Sequence, residues 1–165
     1  MEKYDLYLYE ELLNIPYDLY SLINEYIELN KKVKIAFVGG YIRDLLIKKI
    51  HKLNSKNPID IDIVIEGSAI SLAKFIKKNI KNVEICLIKE FEIYNTVELN
   101  INNLKIDIAS AREEIYKAPG LNPVVKKSTI LQDLKRRDIS INAIAFEISS
   151  RQIHDLFEGI NHIKK

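Results

Sequence analysis

The chain has 165 residues, of which 47% are hydrophobic, and this is enough to bury one ordinary core but not several. The formal net charge of +2 at pH 7 excludes a strongly basic or acidic protein, so net charge leaves a nucleic-acid partner undecided. The single cysteine, Cys86, excludes an internal disulfide and a zinc site built on cysteines, and its apolar neighbours predict a buried, inert thiol.

No apolar stretch approaches the roughly 20 residues that span a bilayer, and Glu2 and Asp5 stand where a signal peptide would be basic. A cytoplasmic protein with no membrane partner is therefore predicted. Basic residues cluster at 48–52 and at 126–137. Such clusters permit phosphate contacts, but they are also typical of solvated helix faces.

Aliphatic and aromatic residues recur at helical spacing through the first thirty positions, and Pro16 is of a type that opens helices. This predicts a short helix in an N-terminal extension over residues 1–32, packed on a sheet. The tyrosines of the extension are suited to stacking on bases, but packing in an amphipathic helix is the commoner role.

A strand, a glycine turn and a helix follow, over Val33–Val38, Gly39-Gly40 and Tyr41–Ile50. Polar residues then predict a loop over His51–Pro58, and strict alternation predicts a strand over Ile59–Ile65.

Gly67 and Ser68 are predicted to open a helix that runs to about Asn79. Three strands are predicted next, and Asn102-Asn103 is a turn signal that joins the last two in a hairpin. These strands are Val83–Ile88, Phe91–Leu99 and Leu104–Ala109.

Periodicity disappears over Arg112–Lys127, where Pro119, Gly120 and Pro123 predict a long, mobile, functional loop. Helical signal returns from Ser128, a suitable N-cap, to Arg137, and again near Ile141–Ala145. The last predicted elements are a small hairpin and a tail containing a glycine: Ala145–Ile148 with Gln152–Asp155, and the segment around Gly159. Together these elements predict a mixed α/β domain built on one sheet.

Two acids, Asp60 and Asp62, stand two residues apart in the alternating strand. Side chains at this spacing point to the same face, so the two carboxylates lie together and repel each other. A shared hard cation such as Mg²⁺ removes that repulsion, because it prefers oxygen ligands. Taken alone, such a pair is more often an acidic strand face exposed to solvent.

The pair Gly39-Gly40 lies between a strand and a helix, where glycine lets the backbone approach a ligand and the first amide groups of the helix attract anions. Arg43 lies one turn further and is placed to reach the same phosphates, and Asp44 is placed to orient it. Taken alone, a diglycine turn is more often structural.

Further polar residues complete the candidate site. Asp107, in an alternating strand, reaches the acidic pair if its strand lies beside theirs. The residues Arg136, Arg137, Asp138 and Asn142 surround a helix junction and are suited to gripping a ribose and a triphosphate. Surface ion pairing and capping by Asp138 explain the same residues equally well in isolation.

In order, the segments Gly39-Gly40-Tyr41-Ile42-Arg43-Asp44, Asp60-Ile61-Asp62 and 136–143 resemble the head of class II tRNA nucleotidyltransferases, the bacterial CCA-adding enzymes and their poly(A) polymerase relatives. Residues 107–116, with Pro119-Gly120 and Pro123-Val124, are similar to the strand and flexible loop of that family. The resemblance covers about Val33 to Gly159. Each piece is weak alone, but four ordered pieces at the family's spacing are specific.

The resemblance implies an α+β fold, a polymerase-beta-like nucleotidyltransferase head with one mixed sheet and helices packed on one side. It implies template-independent transfer from CTP or ATP to the 3′ end of tRNA or another RNA, with two Mg²⁺ ions held by Asp60 and Asp62 and a third carboxylate from Asp107. The nucleotide-binding residues that it implies are Gly39, Gly40, Arg43, Arg112, Arg137, Asp138 and Asn142.

The chain departs from the family in having no Leu-Gly in the loop 48–58 and Ile139-Ser140 in place of Phe-Thr. The expected division is an extension over 1–32, a catalytic head over 33–157 and the start of a neck over 158–165. The rest of the neck, the body and the tail are then absent or on a partner chain.

Three functions remain open: a CCA-, CC- or A-adding head, a nucleotide-binding head without independent turnover, and a bacterial poly(A) polymerase head. Nucleotidyl transfer to a small molecule such as an antibiotic shares the acidic pair, but it does not explain the segment 136–143.

Overall fold

The structure, a computed structural model, describes residues 2–54, 60–81, 83, 85–115 and 123–165. Within them, no helix combines the length and apolar character needed to cross a bilayer. The helices and strands of these residues are α1 (Glu2–Leu13), α2 (Leu19–Leu29), β1 (Ile35–Val38), α3 (Gly39–Ile50), β2 (Asp60–Ile65), α4 (Ala69–Asn79), β3 (Ile85–Phe91), β4 (Thr96–Ile101), β5 (Leu104–Ser110), β6 (Arg112–Ile115), β7 (Val124–Lys127), α5 (Ile130–Lys135), β8 (Ile144–Glu147), β9 (Gln152–Asp155) and α6 (Gly159–Ile163).

The main sheet is mixed and has seven strands within the described residues, in the order β3-β4-β5-β2-β1-β8-β9. Strands β2 and β5 run parallel, and the other neighbouring pairs run antiparallel. The predicted α+β class with one mixed sheet is therefore confirmed. Strands β6 and β7 form a separate two-stranded sheet.

One face of the main sheet carries the large core. Its strand residues alternate with polar ones, as in β2, where Ile61, Ile63 and Ile65 are buried against α3 and α4. Helices α1, α2 and α6 contribute buried aliphatic residues to the same cluster. Burying one such side chain contributes about 1.5 to 3 kcal/mol relative to exposure, so this face holds most of the hydrophobic stabilisation.

The opposite face carries a small cluster under the short helix α5. Ile130 and Leu134 of α5 pack there on Val38 and Val64 of the central strands, together with three alanines. Because strand side chains alternate, Asp62 lies on this face too, two residues before Val64. The main helical layer thus leaves the acidic face free for the candidate site.

The N-terminal extension holds two helices where the sequence predicted one. A 3-10 turn at Pro16–Asp18 separates α1 from α2, and its Tyr17 adopts a positive φ of 65°. The separation lets both helices bury apolar residues in one core, because a straight helix would carry its second half off the sheet. Tyr7, Tyr20 and Tyr26 are buried, which confirms packing as the role of these tyrosines.

Strand positions differ from the prediction on both sides of the β3–β4 turn. The strand predicted over Phe91–Leu99 begins only at Thr96, because Glu92–Tyr94 form a 3-10 turn that ends at Asn95 with a positive φ of 48°. The hairpin predicted at Asn102-Asn103 is confirmed, and Asn102 takes the positive φ that such a turn requires. The predicted burial of Cys86 concerns a side chain outside what the structure describes.

The loop predicted over Arg112–Lys127 is wrong at both ends. Residues 112–115 and 124–127 pair as β6 and β7, with Arg112 opposite Lys127 and Ile115 opposite Val124. Both strands are short and partly exposed, and neither Arg-Glu-Glu-Ile nor Val-Val-Lys-Lys alternates apolar with polar residues, so no strand pattern marks them in the sequence. Residues 116–122, with Pro119 and Gly120, lie outside the described residues, as do residues 55–58 of the earlier predicted loop and Ile59 at the start of the next predicted strand.

The C-terminal third follows the prediction with shifted boundaries. Helix α5 is capped by Thr129 rather than Ser128, and the second helical segment reduces to a 3-10 turn at Ser140–Asn142. The β8–β9 hairpin is confirmed. The predicted tail is helix α6, because the Asp155 carboxylate accepts the amides of Gly159 at 2.7 Å and Ile160 at 3.0 Å.

Candidate active site

The predicted acids lie on two neighbouring strands. Strand β2 pairs with β5 in parallel, which places Asp62 directly opposite Asp107 and Asp60 opposite Lys105. The adjacency that the sequence left conditional is therefore present. Nζ of Lys105 lies 2.8 Å from Oδ2 of Asp107, so the third carboxylate is paired with a cation of its own strand.

The electrostatics of this face centre on Asp62. Burial, followed by the negative charge of Asp107, raises the pKa of the Asp62 carboxyl above its ordinary value. The charges of Arg137 and Lys105 and the amide of Gly40 oppose this shift without cancelling it. The ionised carboxylate is therefore held at a cost in free energy, which a bound cation would remove.

The diglycine bend follows directly on this acid. Strand β1 pairs with β2 so that Val38 lies opposite Asp62, and the next residue, Gly39, has a φ of +67°. A β-carbon at Gly39 would lie 2.8 Å from Oδ2 of Asp62 and 3.3 Å from Nη1 of Arg137. Only glycine fits that backbone and that space.

One of the amides expected to face a phosphate lies near the acid. The backbone N–H of Gly40 lowers the pKa of the Asp62 carboxyl, against the upward effect of burial. The positive end of helix α3 likewise favours the ionised form of the carboxylate. The bend thus couples the predicted metal-binding strand to the predicted phosphate-binding helix.

Arg43 and Asn142, predicted separately as nucleotide ligands, are in direct contact. Nε of Arg43 donates to Oδ1 of Asp44 at 2.7 Å, as the sequence suggested, and Nη1 donates to Oδ1 of Asn142 at 2.7 Å. The second bond joins helix α3 to the 3-10 turn at Ser140–Asn142. The guanidinium is held at two points and is part of the site's frame.

Arg137 brings the third segment to the bend. Its Nη1 donates to the backbone oxygen of Asn142 at 3.4 Å and lies beside Gly39, while Nη2 donates to Asp133. A cavity of about 300 Å³ opens next to it, and the exposed Asp138 lies on its rim. The cavity is lined by Arg136, Arg137, Asp138, Ile139 and Asn142.

Arg112 lies in a different contact set from the other predicted ligands. Its Nη2 donates to Oε1 of Glu114 at 2.8 Å, and its guanidinium stands 5.4 Å from the ring centre of Tyr94. Glu114 also accepts from Nη1 of Arg136 at 3.4 Å. Arg112 is therefore linked to the cavity through Glu114 and Arg136, and none of its described contacts is with the diglycine bend.

Three residues of this region were missed by the sequence reasoning: Lys105, Glu114 and Asp133. Asp133 is 1% exposed and contacts both Arg136 and Arg137. Its position three and four residues before those arginines is the spacing of ion pairs on a helix, which was a usable signal. Lys105 and Glu114 each lie two residues from a strand partner of opposite charge, which was another.

The oxygen-rich composition of this face suits a hard cation. The carboxylates of Asp60 and Asp62 share one face of β2, and that of Asp107 faces them from β5. Among residues 2–54, 60–81, 83, 85–115 and 123–165, no three acids, histidines or cysteines stand close enough together to form a complete metal cage. Magnesium commonly binds through one or two carboxylates and takes its other ligands from substrate and water.

A mixed sheet that carries strand acids beside a diglycine helix start and a cluster of arginines is the arrangement of a polymerase-beta-like nucleotidyltransferase head. The family described as the Poly A polymerase head domain matches residues 35–165. The chain belongs to this family.

Curated and solved relatives agree with that assignment. The chain is 35% identical over 153 residues to an A-adding tRNA nucleotidyltransferase of Halalkalibacterium halodurans, a match that covers 85% of this chain. A structure described as a CCA-adding enzyme in apo form II aligns with a TM-score of 0.74 at 30% identity over 94% of this chain. A tRNA nucleotidyltransferase complexed with a primer tRNA and an incoming ATP analog aligns with a TM-score of 0.63 at 29% identity over 84% of this chain.

The chain spans only part of each of these proteins. The match covers 33% of the curated relative and 36% of each of the two solved chains. The similarity thus concerns their head region.

Proposed function

We propose that this chain is the catalytic head of a template-independent RNA nucleotidyltransferase, which moves nucleotides from ATP or CTP to the 3′ end of tRNA. The observation that carries the proposal is the contact of three segments at one bend. Asp62, Gly39 and Arg137 lie within 3.3 Å of one point, the position of a β-carbon on Gly39. Acid, open backbone and guanidinium are the groups that a metal-bound triphosphate requires.

The arginines are proposed to hold the triphosphate. A guanidinium presents paired donors that match phosphate oxygens, and Arg43 and Arg137 are each fixed by Asn142. Asp138, on the rim of the adjoining cavity, is proposed to accept from the ribose hydroxyls. Arg112 would act on the triphosphate from further out, through the charge that it adds to the Arg136 side of the cavity.

Asp60 and Asp62 are proposed to hold Mg²⁺. Burial and the negative charge of Asp107 raise the pKa of Asp62, and a divalent ion bound at this strand face would offset both effects, which supports the proposal. When bound, magnesium ions activate the attacking hydroxyl and neutralise charge on the phosphates. Asp107 adds negative charge beside Asp62, and Lys105 limits the resulting repulsion.

The A-adding name of the curated relative favours addition of the terminal adenosine as the first activity to test. The partial coverage of the relatives favours one alternative, a head that binds nucleotide but needs further domains or a partner chain for turnover. A poly(A) polymerase head would differ in adding many adenosines. These functions separate in one assay.

That assay measures incorporation of labelled ATP or CTP, with Mg²⁺, into tRNA transcripts that end before the first C, after CC, or after CCA. The chain is expected to extend at least one transcript. The double variant Asp60→Asn with Asp62→Asn is expected to lose about a thousandfold or more of the rate, the scale of losing a main electrostatic component of an active site.

The matched control is Glu98→Gln, which removes a carboxylate from β4 directly opposite Asp107 and should leave the rate near that of the wild type. An unchanged rate in the double variant contradicts the metal assignment. Binding of triphosphate without extension of any transcript supports the alternative of a head without turnover.

A further inference from the structure

We infer that Asp133 is a positioning residue that fixes the guanidinium groups of Arg136 and Arg137 for triphosphate binding. The inference rests on the proposed function and adds a residue that touches neither the diglycine bend nor the acidic pair in the described contacts. Asp133 lies in α5, on the sheet face that carries the candidate site, and is 1% exposed.

The two oxygens of this carboxylate divide between two arginines. Oδ1 accepts from Nε of Arg136 at 3.1 Å and from Nη2 at 2.8 Å, a two-pronged contact. Oδ2 accepts from Nη2 of Arg137 at 3.3 Å. One buried group therefore sets the orientation of both guanidinium planes.

A buried carboxylate carries a large desolvation cost unless it is paired, so such a group persists where its partners are held in good geometry. The same oxygen, Oδ1, also accepts the backbone N–H of Arg112 at 3.3 Å. This contact anchors the carboxylate from β6 as well as from α5. The anchor is thus fixed by two elements and does not rotate freely with the arginines.

The contacts with Asp133 also fix the two arginine side chains at the cavity. Both line the cavity of about 300 Å³, and Nη1 of Arg137 reaches the diglycine bend. A long side chain that is ordered only by its ligand costs about 0.5 to 1.5 kcal/mol on binding. Two guanidinium groups already held by Asp133 avoid that cost, so a triphosphate meets preset donors.

Charge alone predicts the opposite effect. Asp133 is an anion, and if it merely competed with phosphate for the arginines, its removal would strengthen binding. Positioning predicts that removal weakens binding. The sign of the change in affinity therefore decides between the two roles.

The test measures the dissociation constant of ATP with Mg²⁺ by titration calorimetry, at a temperature well below the unfolding midpoint of each variant. Asp133→Asn keeps the shape and removes the charge, and it is expected to weaken ATP binding on the order of tenfold. Asp133→Glu keeps the charge on a longer arm and is expected to weaken binding too, which a pure counter-ion role would not produce. If Asp133→Asn does not fold, the ATP affinity of Asp133→Glu tests the inference by itself.

The matched control is Glu147→Gln, which removes another buried carboxylate, paired with His154 at the β8–β9 hairpin. It should lower stability and leave ATP affinity unchanged, so a general loss of stability is not mistaken for positioning. In the Arg137→Gln background, Asp133→Asn should weaken ATP binding by a smaller factor than it does in the wild-type background, because the two residues act through one contact.

Wild-type affinity, or tighter binding, in Asp133→Asn and Asp133→Glu overturns the inference and leaves the proposed function standing. A wild-type chain that binds no ATP with Mg²⁺ contradicts the proposed function, and the inference falls with it.

Discussion

At the scale of single residues, Gly39 is a position where both the backbone conformation and the surrounding space disfavour a side chain. Its φ of +67° costs an alanine about 1 to 2 kcal/mol, and the added β-carbon would stand 2.8 Å from the Asp62 carboxylate. Gly39→Ala is therefore expected to lower the free energy of unfolding by at least that amount and to displace Asp62 from the bend. Urea denaturation measures the first effect, and calorimetry with ATP and Mg²⁺ measures the second.

The neighbouring glycine supplies the control for that substitution. A β-carbon at Gly40 would lie 3.5 Å from Nη2 of Arg43, 3.9 Å from its Cζ and 3.9 Å from Oδ2 of Asp62, and all three distances are ordinary van der Waals contacts. Gly40→Ala should be neutral or slightly stabilising, because alanine is the better helix former. If both variants lose the same stability, the steric account of the bend fails.

Asp62 gives the second prediction at this scale. Because its pKa is raised in the folded chain, its ionisation disfavours folding, and the folded state loses stability as the pH rises through that pKa. In metal-free buffer at pH 7, Asp62→Asn is expected to raise the free energy of unfolding by about 0.2 to 1 kcal/mol, the scale of a like-charge pair across strands.

The same denaturation experiment with Mg²⁺ completes the test of Asp62. Added Mg²⁺ should stabilise the wild type and should have a much smaller effect on Asp62→Asn, because the variant loses a ligand. A variant that is less stable than the wild type without metal would show that the Gly40 amide and Arg137 outweigh the repulsion from Asp107.

At the scale of elements, the β8–β9 hairpin is predicted to depend on a buried acid. Burial raises the pKa of Glu147. Hydrogen bonds from Ser149 and His154 and the charge of Lys34 lower it by more than burial raises it, so the net shift of the pKa is downward. A lowered pKa gives stability that is present above the ordinary glutamate pKa and is lost as the pH falls through the folded value.

Glu147→Gln is therefore expected to cost about 1 to 3 kcal/mol at pH 7, the scale of hydrogen bonds to a charged group, and to flatten the acid side of the stability curve. Urea denaturation across a series of pH values measures both. Glu113→Gln, which breaks only the exposed pair with Lys126 at 3.6 Å, should change stability by less than about 0.5 kcal/mol at pH 7. Equal losses in the two variants would contradict the role given to burial.

Elements with a strong local pattern were predictable from the sequence. Strand β2 alternates isoleucine with aspartate, and the diglycine pair marks the start of α3, so both were placed within two residues. Strands β6 and β7 were not found, because neither four-residue segment alternates apolar with polar residues. Helix α6 was not found either, because its start depends on the Asp155 side chain four residues earlier.

The candidate site shows the same division between local and distant signals. Asp60, Asp62 and the glycines follow from spacing along the chain. The bond between Arg43 and Asn142 joins residues 99 positions apart, and no pattern in the sequence specifies it. The position of Asp107 beside Asp62 required the β2–β5 pairing, which the sequence allowed but did not determine.

At the scale of the whole molecule, the sheet order explains why distant segments meet. Strand β1 lies between β2 and β8, so the turn after β1 faces the acids of β2 on one side and the 3-10 turn that precedes β8 on the other. The large core holds these strands from the opposite face. The fold thus places the site on the large core and leaves its other side open.

Asp60 and Asp62, the diglycine bend and Arg137 are proposed to form one site for a metal-bound triphosphate. A crystal structure of this chain with a nonhydrolysable ATP analogue and Mn²⁺, located by its anomalous signal, tests this most directly. The predicted result is a Mn²⁺ ion in contact with the carboxylates of β2 and phosphate oxygens against Gly39, Gly40 and Arg137. An analogue bound elsewhere, or bound at the bend with its metal away from both carboxylates, would contradict the claim.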